Sequence, residues 1–188
     1  MKNIFALLFL GFGFIVYMKE YQNKDYSYIY KDAIASMGDT TSQVVYISGL
    51  GDYDQSDLEI ASKAITEMYG IECQIIDPTA TTGDLYTVEG KLDAMTCSNS
   101  LNTVNKTVYV TNEYLISHDR IVCGSSTLNG NFIIVSDNFN DVKNTTIHEM
   151  AHTFGLGHCD NQCILGHIEL GDPNGKFCND CKLKLGLK

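Results

Sequence analysis

One stretch carries residue types at a spacing that can do chemistry: His148-Glu149-Met150-Ala151-His152-Thr153-Phe154-Gly155-Leu156-Gly157-His158, in the pattern H-E-x-x-H-x-x-G-x-x-H. On a helix, His148 and His152 stand one turn apart on one face. Two imidazoles placed so can grip one Zn²⁺ at about 2.0–2.1 Å each. Glu149 follows the first of them, placed to reach a metal-held water without being a ligand itself. Gly155 can take the positive φ that ends a helix and reverses the chain. That turn would bring His158 back as a third ligand. Three protein ligands leave a fourth position for water, which separates a catalytic zinc site from a closed structural one. An amphipathic helix with surface histidines accounts for H-E-x-x-H alone. It accounts poorly for the glycine and the third histidine at fixed offsets.

A second set of candidate ligands follows directly. The chain has seven cysteines, Cys73, Cys97, Cys123, Cys159, Cys163, Cys178 and Cys181, so a fully paired set of intrachain disulfides is excluded. The last four crowd the C-terminal end, and Cys178-Asn179-Asp180-Cys181 is a C-x-x-C. Such a turn points two sulfurs at one centre, and four thiolates close a tetrahedral structural zinc site. A short tail with little apolar content needs a staple of this kind. Two disulfides are the alternative in an exported protein. Cys73, Cys97 and Cys123 are expected to act as small core hydrophobes, and His118 and His167 as ordinary loop residues.

These groups need elements to hold them. Ile147, Met150, Ala151 and Phe154 give the histidine helix an apolar stripe opposite its ligands, and Thr145 or Thr146 is the expected cap. Upstream, Val44–Ser48 reads as a strand. The acidic loop at Asp52, Asp54 and Asp57 lacks the glycine and glutamate of a calcium loop and reads as a helix N-terminus. Ser56-Asp57-Leu58-Glu59 resembles a capping box, followed by a stripe of Leu58, Ala61, Ile65, Met68 and Tyr69 and a stop at Gly70. Ile71–Ile76, Val108–Thr111, Ile121–Cys123 and Phe132–Ser136 read as further strands. Lys91–Leu101 reads as a helix with Leu92, Met95 and Leu101 inward, and Asp137–Lys143 as a polar loop. The order β-α-β-α-β-β-β-α predicts an α+β fold, a mixed sheet packed by helices. The tail after His158 is expected to be poor in regular structure.

Composition sets the outer bounds. The chain has 188 residues, 44% of them hydrophobic, enough for one domain with a core. Thirteen Lys+Arg against 23 Asp+Glu leave a net charge of −10, which argues against a nucleic-acid surface. Ile4–Met18 is almost wholly apolar between Lys2 and Lys19. It is short for a spanning helix and lacks a good cleavage site for a signal peptide. The expected organisation is an anchor or signal segment over 1–18, a Tyr-rich linker over 19–43, and a catalytic domain over 44–188 with a zinc-binding tail over 159–181. The basic N-terminus favours membrane association through residues 4–18 with the bulk of the chain outside the cytoplasm, or secretion after cleavage.

With H-E-x-x-H-x-x-G-x-x-H at 148–158, the adjacent Cys159, then Cys163 and the C-x-x-C at 178–181, the chain resembles the archaemetzincins, a family of metzincin-type zinc peptidases. Val45-Tyr46-Ile47-Ser48-Gly49-Leu50-Gly51 looks like the family's opening strand and turn. Thr107-Val108-Tyr109-Val110-Thr111 and Cys123-Gly124 through Val135-Ser136 look like later strands of its sheet. The resemblance spans about residues 44 to 181. It implies a metzincin-like fold and two zinc ions per chain. His148, His152 and His158 would hold a catalytic zinc, and Cys159, Cys163, Cys178 and Cys181 a structural one. Glu149 would be the general base for a zinc-activated water attacking a peptide bond. An extended peptide or protein substrate would pair with the edge of Phe132–Ser136, and a monomer is expected. The sequence departs from the family at Leu165, where a methionine normally lies under the zinc, and in the shorter spacers around Cys163. A zinc-binding protein that keeps the fold without activity is the alternative.

Overall fold

The computed structural model describes residues 44–87, 89–101, 103–139, 141–166 and 175–187. The apolar run Ile4–Met18, the 19–43 stretch and His167 lie outside them. Among the described residues no helix is long and apolar enough to cross a membrane.

In chain order the elements are β1 (Val45–Gly49), α1 (Gln55–Tyr69), β2 (Cys73–Ile75), β3 (Leu92–Asp93), α2 (Ala94–Leu101), β4 (Thr107–Thr111), β5 (Leu115–Ser117), β6 (Arg120–Val122), β7 (Gly124–Ser126), β8 (Phe132–Ser136), α3 (Val142–Thr153) and α4 (Asn179–Lys184). The main sheet has the order β2-β1-β4-β8-β7. β1 is parallel to β2 and β4, and β4 to β8, while β7 runs antiparallel along the last edge. A small sheet, β3-β5-β6, stands apart from it. The expected α+β architecture is thus present.

Every residue of β4 and of β8 is buried, because both faces of the sheet are covered. Val108, Val110, Ile133 and Val135 face a larger core shared with α1, α3 and the tail. Tyr109, Phe132 and Ile134 face a smaller core with Leu92, Cys97 and Leu115. This alternation explains why β8 reads in sequence as a continuous apolar run rather than a half-polar strand. Leu58, Ala61, Ile65, Ile147, Met150, Ala151 and Phe154 all lie in the larger core, as their spacing predicts.

The structure corrects several local expectations. α1 starts at Gln55 with Asp54 at its cap position and no side-chain cap bond. Ser56 therefore lies inside the first turn and cannot close a capping box. α3 starts at Val142, a turn earlier than expected, because the Asp141 carboxylate accepts the Asn144 N–H at 3.2 Å. Thr146 is fully buried instead of capping. Leu92 and Asp93 belong to a strand paired with β5, and the Asp93 carboxylate accepts the Thr96 N–H at 2.7 Å to start α2. Counted from Ala94, the inward positions are Ala94, Cys97 and Leu101, which leaves Met95 52% exposed. Of the three upstream cysteines only Cys97 is buried; Cys123 is exposed. The tail contains a short helix, α4. His118 and Asp119 take positive φ between β5 and β6, as a tight hairpin turn requires.

One topological result bears on substrate. β8 is interior, flanked by β4 and β7, so Phe132–Ser136 has no free edge for a peptide. Among the described residues the free edge on that side belongs to β7.

Candidate active site

α3 carries His148, Glu149 and His152 and ends at Thr153. Its apolar face is anchored in the larger core, while His148 and His152 stay partly exposed. Gly155 reverses the chain with φ 88°. A Cβ on Gly155 would press on the Asn129 side-chain oxygen, and the positive φ itself favours glycine. The reversal brings His158 back to its partners. Ring centroids are 4.7 Å apart for His148 and His152, 5.3 Å for His148 and His158, and 4.9 Å for His152 and His158. One ring nitrogen from each falls within 4.8 Å of the others.

The hydrogen bonds of two rings define what they can bind. His148 Nδ1 donates to the Ile164 carbonyl at 2.8 Å, and His152 Nδ1 donates to the Leu156 carbonyl at 2.6 Å. Each ring then presents an unprotonated Nε2, and these two atoms face each other at 2.9 Å. Two neutral rings bonded this way would offer two acceptors to one cation. A tetrahedral site with about 2.0–2.1 Å bonds has ligand separations of about 3.3 Å, so a small shift of either ring admits zinc. Burial lowers the pKa of both His148 and His152, favouring the neutral form that ligates metal.

Glu149, next to His148 on the same helix, is buried against β7. Burial pushes its carboxyl above the usual carboxylate range, opposed by His152 and by the Ser126 hydroxyl. Ser126 Oγ donates to Glu149 Oε2 at 2.6 Å. Gly-Ser-Ser carries no apolar signal, so neither the strand at 124–126 nor a role for Ser126 is visible in the residues themselves.

The four late cysteines also come together, each offering a sulfur within 4.8 Å of the others. All are free thiols, and the Cys159 and Cys178 sulfurs are 3.7 Å apart. That is far beyond a disulfide bond and close to the about 3.8 Å edge of a tetrahedron with 2.3 Å Zn–S bonds. The Asn161 N–H points at Cys159 Sγ and the Cys178 N–H at Cys163 Sγ, at 3.4 and 3.3 Å, donors that suit thiolates. Burial raises the Cys178 thiol, but the Cys181 amide and the neighbouring sulfurs outweigh it and bring the thiol down to about 7. Burial and the same neighbours push Cys181 well up.

The two groups are physically joined. Cys159 follows His158, and its N–H donates to the Leu165 carbonyl at 2.8 Å. Ile164, which holds His148, follows Cys163. Leu165, at the family's methionine position, is fully buried. Lys106, which the sequence did not single out, is buried under the end of α3. It donates to the carbonyls of Gly130 at 2.7 Å and Thr153 at 3.4 Å and lies 5.1 Å from the centre of the Phe154 ring.

A mixed sheet with an antiparallel edge strand, beside a helix bearing H-E-x-x-H and a glycine turn to a third histidine, defines a metzincin-like fold with a candidate metal centre. The profile of peptidase family M54 matches residues 84–186, more than half of the chain, and the chain belongs to that family. It is 40% identical over 48 residues to the archaemetzincin of Nanoarchaeum equitans, covering 23% of this chain and 28% of that one. It is 44% identical over 45 residues to the archaemetzincin of Sulfolobus acidocaldarius, covering 21% and 25%. The aligned stretches thus span about a quarter of those relatives' lengths. The fold is similar to the crystal structure of the Archaeoglobus fulgidus archaemetzincin complexed with malonate, with a TM-score of 0.65, 17% identity, and 76% of this chain and 99% of that one covered. The Methanopyrus kandleri archaemetzincin gives 0.65 at 22% identity, with 78% and 95% covered. At these identities the likeness is one of fold.

Proposed function

We propose that this chain is a zinc-dependent peptidase in which His148, His152 and His158 hold the catalytic zinc and Glu149 is the general base. The observation that carries the reading is the convergence of one ring nitrogen from each of His148, His152 and His158 within 4.8 Å of the others, with a buried carboxyl group on the residue after the first. Zinc bound there supplies Lewis acidity to the scissile carbonyl and lowers the pKa of a water ligand towards about 7. Glu149 takes a proton from the attacking water and delivers it to the leaving amine. Its burial keeps the carboxyl's affinity for that proton high. The His148 and His152 rings are fixed in tautomer by the Ile164 and Leu156 carbonyls, so their Nε2 atoms stay available. An extended peptide adds along the free edge of β7, next to Glu149.

Cys159, Cys163, Cys178 and Cys181 hold a second, structural zinc in the same reading, giving two per chain in a monomer. The apolar run at residues 4–18 supports membrane association or export; recovery of the full-length chain, unprocessed, in the soluble fraction without detergent would remove that part. For the peptidase itself, the test is zinc content together with cleavage of a mixed peptide library. About two zinc ions per chain are expected, with cleavage that a chelator abolishes and added zinc restores. Metal-loaded protein that cleaves nothing would instead be an inactive zinc-binding member of the family.

A further inference from the structure

We infer that Ser126 and Gly124, on β7, are positioning residues that set the Glu149 carboxylate. The inference rests on the reading of Glu149 as general base and adds the element that aims it. Residues 124 and 126 are two apart on a strand, so they face the same side of the sheet, here the side on which α3 packs. They do opposite things there. A Cβ on Gly124 would stand 2.8 Å from Glu149 Cγ, 3.1 Å from its Oε1 and 2.7 Å from Thr145 Cγ2. Gly124 is therefore the slot into which the glutamate side chain lies. Ser126 supplies the hydrogen bond, donating to Oε2 at 2.6 Å. The side chain is confined by backbone on one side and tethered at one oxygen.

The consequence for chemistry is an asymmetric carboxylate. Oε2 is occupied by a hydroxyl donor, and Oε1 is left to exchange the proton. The buried carboxylate also gains a charge-assisted bond that a bare apolar wall would deny it. Because β7 is the strand whose free edge is offered to a peptide, one short element sets both the peptide and the base that acts on it. Such a tether raises turnover by orientation and leaves ground-state binding alone.

The test uses the full chain loaded with zinc and compares Ser126→Ala, Ser126→Thr and Glu149→Gln. Ser126→Ala is expected to lower kcat about tenfold or more, within the range that general-base catalysis contributes. Its KM should stay within about twofold and its zinc content should not change. Ser126→Thr keeps the hydroxyl and should recover most of kcat. A crystal structure of Ser126→Ala should show the Glu149 carboxylate turned from its wild-type orientation. Wild-type kcat in Ser126→Ala, with Glu149→Gln inactive, would overturn the positioning role and leave the base in place. A change confined to KM would overturn it too. Wild-type cleavage by Glu149→Gln would remove the base assignment itself and this inference with it.

Discussion

His148 and Ile164 are joined by a hydrogen bond from the imidazole Nδ1 to the main-chain carbonyl, 2.8 Å long, and Ile164 follows Cys163 of the four-cysteine cluster. One peptide unit thus separates a ligand of the candidate structural metal from the group that fixes the tautomer of a candidate catalytic ligand. The second histidine contact of the tail, through Cys159 directly behind His158, points the same way.

Metal at the cysteines should therefore raise metal affinity at the histidines. Cys163→Ser frees the segment that carries the Ile164 carbonyl, and loss of such an outer partner typically costs 10–100-fold in metal affinity. Competition titration of the histidine-site metal should show a weakening of about that size. Unchanged histidine-site affinity in Cys163→Ser would mean that the two sites are independent.

Acidification gives a second check. Burial holds both His148 and His152 below the ordinary value of 6.5. A group whose folded pKa is depressed binds its proton only below its unfolded pKa, so the neutral, ligating form persists as pH falls through 6.5. In the metal-free protein these two histidines contribute stability that rises with pH through the window below 6.5 and is flat above it. Zinc at the histidine site should accordingly survive dialysis down to pH values below 6.5 and then be released. Release with a midpoint at or above that value would contradict the burial argument.

Lys106 ties the β7–β8 turn to the end of α3. Its partners are two main-chain carbonyls and an aromatic face, and burial pulls its pKa down to about 8. Lys106→Met keeps the stem and removes the donor, leaving two carbonyls poorly satisfied. A loss of about 1–3 kcal/mol is expected in denaturant unfolding. An unchanged unfolding midpoint would show that water takes over both acceptors.

The candidate metal ligands are legible in the sequence because their geometry is local: one helix turn, one glycine reversal and a C-x-x-C turn fix most of the donor directions. Phe132–Ser136 was legible as a strand because both its faces are buried and five residues read as apolar or nearly so. Its place in the sheet was not, since β7 has no apolar signal of its own and exists through pairing with β8. The Ser126–Glu149 bond spans 23 positions and appears only once that hairpin is folded against α3. Met95 faces out because a two-residue strand displaced the start of α2, a tertiary pairing that periodicity could not register. Asp141 looks like loop in the sequence because the polar residues after it hide the first turn of α3.

The most direct measurement is cleavage of a mixed peptide library by wild type and Glu149→Gln at matched zinc content. Glutamine keeps the size of the side chain and removes its capacity to accept the proton. Turnover in Glu149→Gln should fall at least about a hundredfold with zinc still bound. Equal turnover by the two proteins would contradict the base role of Glu149.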